Sequence, residues 1–117
     1  MNRLIEIRIK MRQHYITINK ELEQIRKDLG NCVRARKRLY NSSAKAHKAV
    51  KFQDLRKIEN RFLQVESDLF NFTHKYEKEI NASAILDRAV SKLIAKIDTE
   101  RHLCHPAIER IYGNRVY

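Results

Sequence analysis

Two apolar seams restrict what this chain can fold into more than any other feature. Over the first forty residues Leu4, Ile7, Met11, Tyr15, Ile18, Leu22, Ile25, Leu29, Cys32, Arg36 and Leu39 follow one another at steps of three or four. Such spacing keeps side chains on one side of a helix. A second run, Lys48, Lys51, Leu55, Ile58, Phe62, Val65, Leu69, Phe72, Tyr76 and Ile80, alternates threes and fours up to Tyr76, in the manner of a coiled coil. The doubled four-step from Ile7 through Met11 to Tyr15 is a stutter that relaxes any supercoil locally.

The seams mirror each other. Between them lies Asn41-Ser42-Ser43, the strongest helix-breaking triplet in this half of the chain. Folding back at Ser42 sets Leu29 opposite Leu55, Ile25 opposite Ile58, Leu22 opposite Phe62, Ile18 opposite Val65, Met11 opposite Phe72 and Leu4 opposite Ile80. This pairing predicts an all-α fold built on a long antiparallel, coiled-coil-like hairpin. Arm 1 covers residues 3–40, the turn 41–43 and arm 2 residues 44–80, each arm about 55 Å long. Gly30-Asn31 lies in phase with the seam and is read as interior helix, at a cost of about 1 kcal/mol. Residues 4–12 also alternate apolar and charged, which is strand periodicity, so a strand donated to another protein's sheet competes with helix there.

Beyond Ile80, Asn81-Ala82-Ser83 offers a helix N-cap. Leu86, Val90, Leu93, Ile97 and Cys104 then mark a third helix over residues 83–104, too short to cover more than the half of the hairpin remote from the turn. Secondary apolar rows at Ile5, Ile9, Ile16, Leu63 and Phe70 are assigned to that base half, beneath the third helix. Pro106 and Gly113 bracket a short last helix over residues 106–112. At 117 residues the whole reads as one domain.

Charge is concentrated where the arms meet. From Leu29 to Gln53 there is no Asp or Glu, but there are Arg34, Arg36, Lys37, Arg38, Lys45, Lys48 and Lys51. These account for +7 of the net +11. Arg36, Lys48 and Lys51 fall on seam positions with no acid nearby in sequence, so the tip is expected to splay or to await an anion. Those seven residues, with Tyr40 as a possible base-stacker, are the candidate contact set. The expected partner is nucleic acid or a ribonucleoprotein assembly, bound by shape and charge. The competing expectation is a scaffold, adaptor or inhibitor subunit docking on an acidic protein surface, within a larger complex. The seam could also close against a second copy. A lipid surface fits less well, because the tip has Ala where bulky apolar residues are wanted. Arg34-Ala35-Arg36-Lys37-Arg38 also has the form of a nuclear-import cluster.

Chemistry is thinly represented. There is no phosphate-cradling glycine loop, nucleophile elbow or metalloprotease motif, and Glu77/Glu79 and Asp98/Glu100 diverge on a helix. His102, Cys104 and His105 crowd together, but Cys32 is expected to lie beyond the third helix's reach, so no metal and no other cofactor is expected. A non-enzymatic role follows. The chain contains no membrane-span-length apolar stretch and opens without a signal peptide's apolar core, and its two cysteines suggest no disulfide framework. An intracellular, reducing compartment is the resulting expectation.

Overall fold

The structure, a computed structural model, describes residues 2–104; the short helix expected over 106–112 and His105 of the possible metal cluster lie outside them. Four helices follow in order: α1 (Asn2–Lys45), α2 (Phe52–Lys75), α3 (Glu77–Ala82) and α4 (Ala84–His102). The all-α hairpin with a third helix packed on it is therefore present. Residues 4–12 are helical, not strand.

The seams are the core. Ile18, Leu22, Ile25, Leu29 and Cys32 of α1 are buried with Leu55, Ile58, Phe62, Val65, Leu69 and Phe72 of α2. Leu86, Val90, Leu93 and Ile97 complete the core from α4. Each fully buried side chain of this size contributes about 1.5–3 kcal/mol, and Phe62 and Ile18 have no exposed surface at all.

The register differs from the mirrored one. Val65 lines a groove with Cys32, and Phe72 lines one with Ile25. The mirrored seams assigned those partners as Ile18 and Met11, so both positions on α1 have moved by 14 residues, two heptads. A seam that repeats every seven residues looks the same after such a slip. The turn moves accordingly. Asn41-Ser42-Ser43 is read through as the end of α1, and the connection runs over residues 46–51.

The stop is supplied by His47, in the left-handed region at φ 51°. Lys48 N–H donates to the Ser43 carbonyl (3.0 Å) and His47 N–H to that of Ala44 (3.2 Å), which is a Schellman closure with His where glycine is usual. The second arm is also interrupted. Tyr76, at φ −113°, separates α2 from α3. Ser83 caps α4 by accepting from Leu86 N–H at 3.2 Å, as its sequence position suggested.

α4 runs alongside α1 at a nearly constant offset: Glu100 meets Arg36, and the Leu103 carbonyl meets Tyr40. The same offset sets the start of α4 level with Lys20. The third helix thus reaches up toward the turn instead of covering the remote half. Ile5, Ile9 and Ile16, and also Leu63 and Phe70, remain exposed rather than lying beneath it. At the other end, every residue from Asn2 to His14 is exposed. His14 marks the last bundle layer, with Nε2 3.4 Å from Glu79 and its ring edge-on to Tyr76. Below it α1 continues for about 18 Å with no other helix beside it among the described residues.

Candidate functional site

The acid-free window folds into the turn end of the bundle: residues 29–45 of α1, the connection, and the first two residues of α2, Phe52 and Gln53. Seven of the eight candidate residues can be sorted by helix geometry or by the connection. With 100° per residue, Arg34, Lys37, Arg38 and Lys45 fall within a sector of about 100° on α1. All four are exposed. Arg36 points the opposite way and is buried. Lys48 and Lys51, placed in the seam by sequence, are exposed in the connection, so they do not face a partner helix.

Arg36 is the main correction. Its guanidinium Nη2 donates to Glu100 Oε2 of α4, with both side chains largely enclosed. An acid does neutralise it, and that acid comes from a helix 64 residues away in sequence. The tip therefore does not splay around Arg36. Its Nε is buried without a hydrogen-bond partner, so the pair is satisfied on one side only.

Tyr40 is also tied down. Its hydroxyl donates to the Leu103 carbonyl at 3.0 Å, anchoring the end of α4, and its ring is half-buried. The exposed aromatic at this end is instead Phe52, beside Lys51. Sequence reading missed Phe52, which adjoins the seam position Lys51 and carries no local sign of its exposure. It also stopped at Asp54, although Arg56 and Lys57 immediately beyond are exposed and enlarge the basic surface. Arg34 donates to the Asn31 side-chain oxygen, a neutral partner that leaves its charge uncompensated.

Beneath this end sit two free thiols, Cys32 and Cys104, both buried in the same core. Cys32 is thus within reach of the third helix after all. Burial pushes the Cys104 thiol up to about 11, against the opposing pull of Arg36. Burial likewise raises Cys32. Thiols so shielded are poor nucleophiles and poor metal ligands. Among the described residues no group of three or more His, Cys, Asp or Glu is arranged to hold a metal ion. No helix among them is long and apolar enough to cross a membrane.

Compared with family models, with curated proteins and with solved structures, the chain matches none.

Proposed function

We propose that this is a non-catalytic binding protein whose basic turn end docks on nucleic acid or a nucleoprotein assembly. The observation that supports this reading is the division of the seven basic residues. Arg36 is taken into the fold with its own acid, while Arg34, Lys37, Arg38, Lys45, Lys48 and Lys51 are left exposed around one end. Clustered like charges repel one another and reduce stability unless an anion lies against them.

Contacts of this kind go to phosphates. Arg34 and Arg38 suit forked phosphate contacts and the lysines act as point charges. Phe52, rather than Tyr40, offers a face for an unstacked base. The candidate contacts are lysine and arginine side chains suited to phosphates, so affinity is expected to depend on charge and shape and little on sequence.

The test is fluorescence anisotropy with unrelated single-stranded RNA and duplex DNA at low and moderate salt. Binding should weaken steeply with salt, and Lys37→Gln with Arg38→Gln should lower the log–log slope by about two. Absence of binding at low salt would overturn the reading in favour of an acidic protein surface.

A further inference from the structure

We infer that the single-helix overhang of α1 is a dimerisation arm, each arm lying in the α2/α4 groove of an inverted second copy. Two otherwise unrelated exposed apolar surfaces motivate this. On the overhang, Leu4, Ile7 and Met11 continue the buried seam of α1 but are 62%, 49% and 55% exposed. A helix extension this short and rich in β-branched residues gains little stability by itself in water. On the body, a groove runs between α2 and α4 on the side away from α1, floored by Leu69, Ile97, Val90 and Ile80. Phe70 (71% exposed) and Ile94 (53%) stand at its edges.

Charge selects the occupant. The overhang carries Arg3, Arg8, Lys10 and Arg12 against the single acid Glu6. The groove carries Glu66, Glu77, Asp87 and Asp98, with Arg101 on Glu66 and His102 on Asp98. Glu77 and Asp87 have no ion-pair partner among the described residues, and they border the end of the groove nearest the overhang. Arg3 and Arg8 flank the Leu4–Ile7–Met11 stripe on its two sides. The chain thus holds both halves of a complementary pair, a basic apolar helix and an acidic apolar groove.

The arrangement is reciprocal. The stripe faces the same way as the seam of α1, toward the side on which α2 and α4 pack. An inverted copy set alongside that face offers its groove to the overhang, and the two-fold operation places its own overhang in the first copy's groove. From Asp87 to Asp98 the groove is about 16 Å long, and the Leu4–Met11 stripe is about 10 Å, so the arm fits within it. A single chain cannot make this contact, because its overhang leads away from its own groove. To fall within the range for stable complexes, the pair of reciprocal contacts has to bury about 1,200 Å² together. The dimer leaves both basic ends outward and is independent of what they bind.

The experiment is light scattering on the full chain after gel filtration, at about 50 µM. The expected mass is twice 14.0 kDa. An arm-reversed chain (Arg3→Glu with Arg8→Glu) and a groove-reversed chain (Glu77→Lys with Asp87→Lys) should each dimerise at least tenfold more weakly. Mixed, they should form a heterodimer, with one contact restored by the double reversal and the other native. Phe70→Glu, at an exposed position, should also give a monomer, with unchanged helicity by circular dichroism. A monomeric wild-type chain, a dimer insensitive to these changes, or variants that stay monomeric when mixed would each overturn the inference.

Discussion

The Arg36–Glu100 pair gives the sharpest test of the observed register, because the mirrored pairing would have set Arg36 against Lys48. Glu100→Ala leaves the Arg36 guanidinium, about 10% exposed, with neither its acid nor a partner for Nε. Orphaning one member of a buried pair costs about 3–5 kcal/mol. The lower figure applies here, since the remaining opening lets Arg36 reach toward water and alanine is slightly the better helix former. A loss of about 3 kcal/mol corresponds to a fall in melting temperature of about 12 °C for a chain of this length. Replacing both residues, Arg36→Leu with Glu100→Leu, removes the uncompensated charge and should return stability to within about 1 kcal/mol of the wild type. Urea unfolding followed by circular dichroism of the wild type, Arg36→Leu, Glu100→Leu and the double replacement, which together close a double-mutant cycle, should give a coupling energy of about 2 kcal/mol or more. Glu66→Ala serves as the control, since its pairing with Arg101 is solvent-exposed and should contribute less than about 1 kcal/mol. If Glu100→Ala unfolded like Glu66→Ala, and the cycle showed no coupling, α4 would not reach Arg36 and the described register would be wrong.

Three further outcomes are expected. Gly30 lies inside α1, where an added Cβ would meet only the Arg34 guanidinium at an ordinary 3.6 Å, so Gly30→Ala should raise stability by about 1 kcal/mol in the same urea assay. His47→Gly relieves the left-handed backbone at the end of α1 and should stabilise by up to about 1 kcal/mol, whereas His47→Val should destabilise; thermal melting separates the two. With its thiol pushed up to about 11, Cys104 is thiolate in only about one molecule in a thousand at pH 8. Its labelling by an aromatic disulfide reagent should therefore be slow in the native protein, speed up with rising pH toward 11, and become fast in denaturant.

Much of the fold was legible. The three-four spacing identified all three long helices, and from Ile18 onward most of its seam residues are buried. Ser83 was recognisable as a cap because serine before an apolar run has a local physical role. The interior position of Gly30 was also readable, since the seam kept phase across it. The candidate end was legible in outline, because an acid-free window is a property of sequence. Its internal sorting was not. Whether Arg36 faces solvent or core depends on helix phase, which the seam did supply, but whether an acid meets it there depends on α4.

What the sequence determined by itself, then, was periodicity: which faces are apolar, which segments are helical, and that the positive charge gathers about the hairpin's turn. Periodicity is indifferent to translation by whole heptads, so it could not choose between a turn at Asn41–Ser43 and one at residues 46–51. Tertiary structure made that choice. The left-handed stop at His47, the three-helix core and the Glu100 carboxylate on Arg36 belong to the slipped register. The same two-heptad slip withdraws a partner from the first turns of α1, which is why the unpaired arm lies at the end opposite the basic tip. Its apolar residues are left without a partner among the described residues of the same chain.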